Sequence, residues 1–276
     1  MQRGRAGTRA GARELGLPWV RGPPNREGSR RGEGAAPVVH RPRSPRGLRC
    51  RRSPRRPYWL CRASCATLPA LRTQLAQLLL VGFPGTRPGR VSRGLVDRGI
   101  GGLLLFRGNV VSAGQVRALV ADLKQRAEIP LEVAVDQEPG TRVARLAGIV
   151  RASPSARELG RMPAERVERY GLATGRDLAV LGITADLAPV LDVTGARWDG
   201  VIGDRSFGAD PATAGRAAVA FMRGLAAGGV APVGKHFPGH GATTVDSHRR
   251  LPVVPASMDR LHAHDLAPYR AAISSG

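Results

Sequence analysis

VAPVGKHFPGHGATTVDSH, Val230 to His248, decides the fold. It begins as a short apolar run, Val230 to Val233. Within two residues it becomes a loop carrying Lys235, three histidines (His236, His240, His248) and Asp246. Gly234, Pro238, Gly239 and Gly241 forbid a regular helix across it. A buried strand that runs into a polar loop is the local plan of an α/β enzyme. In such proteins side chains beyond the C-terminal strand ends gather on one face.

Working outward, the same plan recurs. Leu78 to Val81 is an apolar run stopped by Gly82, Pro84 and Gly85. GGLLLF, residues 101–106, ends in Arg107, Gly108 and Asn109. Pro130 opens Leu131 to Val135, which ends in Asp136, Gln137 and Glu138. Ile183 to Val190 leads to Asp192. Between the runs, helical spacing predicts helices over Leu71 to Gln77, from a Ser112 cap to about Ala127, over Ala164 to Leu181, over Pro211 to Ala227 and over Met258 to Ile273. Strand and helix alternate, so the class is α/β with a parallel sheet. Asn109, Asp136, Asp192, Lys235 and His236 all stand at C-terminal strand ends. That pattern suits a (β/α)8 TIM-type barrel or an open doubly wound sheet. An eight-stranded barrel takes about 250 residues. Residues 67–276 hold five to six β/α units, which predicts an incomplete barrel.

Charge divides the chain in two. Residues 1–66 carry 17 Arg, no Lys and three Glu, a net +14 of the total +22. This Arg/Pro/Gly-rich stretch has little apolar periodicity and is expected to be a disordered tail. Aromatics for base stacking are nearly absent from it, which argues against nucleic acid as a partner. The remainder, 26 basic and 18 acidic side chains, is an ordinary basic globular composition. The cysteines, Cys50, Cys61 and Cys65, all lie in the tail. Neither a disulfide framework nor a cysteine metal site is therefore expected downstream. No secretory signal and no apolar run of membrane-spanning length is visible. The default expectation is a cytoplasmic protein that is monomeric when full length; a different start would allow export or cell-wall association.

Of 43 basic residues only Lys124 and Lys235 are lysines. An ammonium is a compact point donor where a guanidinium is a planar fork, so Lys235 beside His236 suggests a role that arginine cannot fill. His236 and His240 are four apart, but Phe237-Pro238-Gly239 breaks the helix that would aim both rings at one metal. No metal or other cofactor is expected, and loop histidines that bond backbone are the plainer reading. Asp246 and His248 form a better chemical unit. A carboxylate that accepts the imidazole Nδ1–H fixes its tautomer and makes the ring a general acid/base. Asp136 is either an acceptor for sugar hydroxyls or a cap for the following turn. Arg205, in a glycine-framed loop (201–208), is either a ligand clamp or a solvated charge.

These motifs together resemble the glycoside hydrolase family 3 β-N-acetylhexosaminidases, which cleave N-acetylglucosamine from peptidoglycan fragments. The resemblance runs from about Leu71 to Gly276. It rests on LAQLLLVGFPG, GGLLLF with GNV, AVDQE, APVLDV, VIGDRSFG and KHFPGHG followed by DSH. It implies a (β/α)8 barrel and a retaining mechanism in which His248, held by Asp246, is the acid/base. Asp136, Arg205, Lys235 and His236 would bind the sugar hydroxyls, and Arg142 and Arg145 would support the pocket. The implied partner is an N-acetylglucosamine-containing glycan or muropeptide. The family's nucleophilic aspartate lies on a later strand, and no aspartate here carries its motif. The expectation is therefore an N-terminal catalytic domain that is inactive alone. The alternatives are a non-catalytic carbohydrate-binding remnant and a nucleic-acid binder working through its tail. Two departures from the family pattern stand out: DQEGGRV reads DQEPGTRV, and GHGDT reads GHGAT.

Overall fold

Each apolar run is too short for a helix and is flanked by turn residues, and the computed structural model resolves five of them as strands. It describes residues 71–195 and 201–276; the expected tail over residues 1–66 lies outside them. The strands are β1 (Leu80–Gly82), β2 (Gly102–Leu105), β3 (Glu132–Val135), β4 (Ala185–Asp186) and β5 (Ala231–Pro232). All neighbours pair in parallel, in the order β1-β2-β3-β4-β5. A doubly wound sheet reverses its strand order at a switch point. This one does not, and its sequential winding is that of a barrel wall.

The helices are α1 (Leu71–Gln77), α2 (Arg90–Asp97), α3 (Ala113–Arg126), α4 (Ala156–Leu159), α5 (Ala164–Val180), α6 (Pro211–Ala227), α7 (Met258–Arg260) and α8 (Ala267–Ser274). Local chemistry sets their starts. The Ser112 hydroxyl accepts the Gln115 N–H at 3.2 Å, and Asp210 accepts the Thr213 N–H at 2.9 Å with Pro211 opening α6. These side chains satisfy donors that a helix start leaves orphaned. Leu103, Leu105, Val133 and Val135 of the sheet pack with Leu119, Leu123, Leu178, Phe221 and Leu225 of the helices, all fully or nearly fully buried. Each such side chain contributes roughly 1.5–3 kcal/mol of burial. Helices α5 and α6 meet across Gly171, Gly175, Gly224 and Gly228; a Cβ at Gly224 would lie 2.2 Å from the Glu168 carbonyl oxygen. The glycines let two backbones touch.

Two sequence expectations need correction. The strand over Ile183 to Val190 is ordered as a ladder only at Ala185 and Asp186. Pro189 has no N–H to continue it, and pairing resumes irregularly, with the Leu191 N–H on the Lys235 carbonyl at 2.6 Å. The closing helix is interrupted by a wide π turn over Leu261–Asp265. Pro268 cannot donate to the carbonyl four residues back, and the Leu266 N–H bonds Leu261 O at 2.8 Å, one residue further than in an α-helix. Helices α2 and α4 had no counterpart in the sequence reading.

Candidate active site

Three strand ends and one loop build a single charged array. Asp136 follows β3 directly, and Glu138 comes two residues later. In extended backbone that spacing places both carboxylates on one side and Gln137 on the other. Gln137 is buried, and its Oε1 accepts the Leu146 N–H at 2.9 Å. The turn is tied further by the Glu138 N–H on the Val143 carbonyl and the Arg145 N–H on the Asp136 carbonyl.

Lys235, just past β5, meets both carboxylates: its Nζ lies 2.7 Å from Asp136 Oδ1 and 2.6 Å from Glu138 Oε1. Arg205 adds a two-point bond to Glu138, Nε to Oε2 at 2.7 Å and Nη2 to Oε1 at 2.8 Å. Two cations thus balance two carboxylates, with Glu138 only 1% exposed. Burial pushes the Glu138 carboxyl up, but the Arg205 and Lys235 charges outweigh it and hold the group below the usual carboxylate range. Lys235 is one compact donor shared between two acids.

His236 joins the array to a second carboxylate. Its Nδ1 lies 2.6 Å from Asp192 Oδ2, and its Nε2 faces Arg205 Nη2 at 3.3 Å. A guanidinium only donates, so Nε2 accepts and Nδ1 carries the proton given to Asp192. Asp192 is fully buried. Its Oδ1 also accepts the His240 N–H at 2.6 Å, so one carboxylate holds both ends of the His236 to His240 loop. Burial lowers the His240 imidazole below its ordinary range, and His236 and Arg205 add to that against the opposing charge of Asp192. Thr243 Oγ1 bonds His240 Nδ1.

The structure therefore brings Asp136, Arg205, Lys235 and His236 together. Arg145 is attached through its backbone, while its Nε is buried with no hydrogen-bond partner. Arg142, at the turn containing Pro139 and the extra residue, pairs with Asp204 at 3.2 Å and so ties this turn to the Arg205 loop. His248 and Asp246 do pair, Nδ1 to Oδ1 at 2.9 Å, on a loop where the His248 side chain is 91% exposed. Among the described residues neither bonds the Lys235 array. Asp246 is near enough for its charge to act on His240. The His248 N–H and then its ring hold the Asp246 carboxyl below the usual range. Asn109 serves the scaffold: its amide donates to the Phe83 and Gly85 carbonyls at 2.9 and 2.7 Å.

Glu138 and Asp192 are site residues to which the sequence reading gave no role. For Glu138 a signal was present, the acid–x–acid spacing after a strand. For Asp192 the only signal was its place at a strand end. Its partners lie 44 and 48 residues away. Among the described residues no group of three or more His, Cys, Asp or Glu side chains is arranged to hold a metal ion.

Comparison with known proteins agrees with this geometry. Residues 70–276 match the model of the glycosyl hydrolase family 3 N-terminal domain. The β-hexosaminidase LpqI of Mycobacterium tuberculosis is 41% identical over 219 residues, covering 77% of this chain and 55% of the relative. A β-hexosaminidase of Neisseria gonorrhoeae is 39% identical over 186 residues, covering 64% of this chain and 50% of the relative. The chain thus spans about half the length of these curated relatives. Among solved structures, a family 3 β-N-acetylglucosaminidase from Paenibacillus superposes with a TM-score of 0.72 at 37% identity, over 75% of this chain and 40% of that one. NagZ from Neisseria gonorrhoeae gives 0.66 at 36% identity, over 72% and 60%. A match over residues 70–276, joined to a sequentially wound parallel sheet with its charges at the strand ends, assigns this chain to glycosyl hydrolase family 3.

Proposed function

We propose that the chain carries the sugar-binding face of a β-N-acetylhexosaminidase that removes terminal, non-reducing β-linked N-acetylglucosamine, with peptidoglycan fragments as the substrate class. The observation that supports this most is the Asp136, Glu138, Lys235, Arg205 and His236 array at the C-terminal strand ends. A pyranose presents adjacent hydroxyls, each both donor and acceptor. An array of alternating carboxylates and cations meets them without reorganising. The relatives named β-hexosaminidase supply the sugar class.

In the retaining scheme the acid/base protonates the leaving oxygen and then activates water, while a carboxylate nucleophile stands roughly 5–6 Å away. We assign the acid/base to His248, oriented by Asp246. Its loop must fold over the bound sugar for the ring to reach the scissile oxygen, and the exposed position of His248 is that of a group free to move. None of the strand-end carboxylates is assigned as nucleophile. Asp136 and Glu138 are committed to cations, Asp192 to His236, and Asp186 is buried. The proposed setting is the cytoplasm, with the full-length protein a monomer.

The test is calorimetric titration of N-acetylglucosamine into the chain and into Lys235→Arg, with release of 4-nitrophenol from its β-N-acetylglucosaminide followed in parallel. Saturable binding that Lys235→Arg weakens by tenfold or more is expected, because a planar fork cannot sit between two carboxylates 2.6 and 2.7 Å from one nitrogen. Equal affinity in both proteins would remove the array from the sugar site. Binding without turnover would leave the carbohydrate-binding role and remove the catalytic one from this chain.

A further inference from the structure

Asp186 is a carboxyl group that the array does not use. It closes β4, opposite Val135 of β3 and Pro232 of β5, and is fully buried. One oxygen, Oδ1, accepts the Gln137 N–H at 2.9 Å; the other, Oδ2, has no hydrogen-bond partner. Among the described residues no cation lies within ion-pair distance of it. The charged groups that act on it are Lys235 from the loop after β5, and Asp136 and Glu138 from the turn after β3. Lys235 is already divided between those two acids, and Arg205 is committed to Glu138. An ionised Asp186 would be a third carboxylate against two cations, with half of its charge on an oxygen that nothing solvates. A buried charge in that position is strongly unfavourable; a neutral carboxylic acid is far less so.

The Gln137 N–H lies between Asp136 and Glu138, so its acceptor fixes the strand end of the turn that the Glu138 to Val143 and Arg145 to Asp136 bonds close on the other side. We propose that Asp186 is the positioning residue for the Asp136–Glu138 pair, acting as a neutral acid whose Oδ1 anchors Gln137. Burial, reinforced by the like charges of Asp136 and Glu138, outweighs the Gln137 hydrogen bond and Lys235 and raises the carboxyl well above its ordinary range. The sign of the resulting pH effect is opposite to that of a paired aspartate. Below about pH 4 the group is protonated in both folded and unfolded chains and has no effect. As pH rises past that value only the unfolded chain ionises, so the folded state loses stability until its own raised value is passed.

The experiment compares the chain with Asp186→Asn and Asp186→Leu, by melting temperature from pH 4 to pH 8 and by N-acetylglucosamine affinity. Asparagine keeps a neutral acceptor. It is expected to melt at least about 4 °C above the parent at pH 7–8, with the gap closing toward pH 4. Leucine removes the acceptor, so it is expected to bind the sugar at least tenfold more weakly, while asparagine stays within about threefold. A gap between Asn and parent that does not change with pH would overturn the neutral acid. Equal affinities for Asn and Leu would overturn the positioning role. The affinity readout rests on the sugar-binding reading, whereas the melting comparison does not. If no protein binds sugar but the pH-dependent gap is present, the sugar reading fails and the neutral acid stands.

Discussion

Lys235 and Glu138 show how one residue choice propagates. The ammonium sits between two acids, and Glu138 is the acid that both cations share. Because Arg205 and Lys235 overcome burial and depress the Glu138 carboxyl, its contribution has the usual sign for a paired carboxylate. It is fully present above the unfolded-state value of about 4.3 and is lost as pH falls through the lower folded-state value. Glu138→Gln removes the shared acceptor charge and leaves the Arg205 fork without its carboxylate. The expected outcome is a loss of about 2–4 kcal/mol at pH 7, read from urea melts, with the difference from the parent narrowing below about pH 4. A difference that stays constant down to pH 3 would mean that Glu138 contributes shape and no charge. At this scale the sequence was legible where chemistry is local. The scarcity of lysine in an arginine-biased chain, with one of its two lysines beside His236, pointed to Lys235, and Asp246-Ser247-His248 pointed to a bonded pair that the structure contains at 2.9 Å. The Asp192 to His236 bond was not legible, because it depends on β4 and β5 lying side by side.

At the scale of elements, helix starts were readable: the Ser112 cap stands where the sequence placed it, and α6 starts at Pro211 as its spacing predicted, with Asp210 capping it. Strand lengths were less readable. The regular β4 ladder stops at Asp186 although the apolar run continues, and burial on both faces makes a parallel strand and an irregular buried segment look alike in sequence. The glycine seam between α5 and α6 reads only as weak helix propensity, yet it fixes how closely the two helices pack. Ordinarily Gly→Ala inside a helix stabilises by about 0.5–1 kcal/mol. At Gly224 the added Cβ meets the Glu168 carbonyl oxygen at 2.2 Å and the Leu172 nitrogen at 2.6 Å, backbone atoms that cannot move alone. Gly224→Ala is therefore expected to destabilise by about 1–3 kcal/mol. Gly114→Ala in α3, with nothing within 4 Å of the new methyl, is expected to be neutral or stabilising. Chemical denaturation of the two variants decides it: the same sign at both positions would refute the seam.

For the whole molecule, the question is what the formal charge of +22 is for. Fourteen of those charges belong to residues 1–66, whereas the family match begins at residue 70 and every residue of the candidate site lies between 136 and 248. The array itself is close to neutral, two cations on two carboxylates with Asp192 given to a histidine, and a sugar such as N-acetylglucosamine carries no charge for a distant field to steer. Net charge therefore bears on association with polyanions and not on the binding of N-acetylglucosamine itself. Removing residues 1–66 is expected to leave N-acetylglucosamine affinity within about twofold. The same deletion should weaken low-salt retention on heparin or duplex DNA, where each neutralised phosphate steepens the salt dependence. Sugar affinity that falls with the deletion would place part of the site in the tail. Unchanged retention would place the polyanion-binding charge in residues 67–276, whose net +8 would then be the relevant surface.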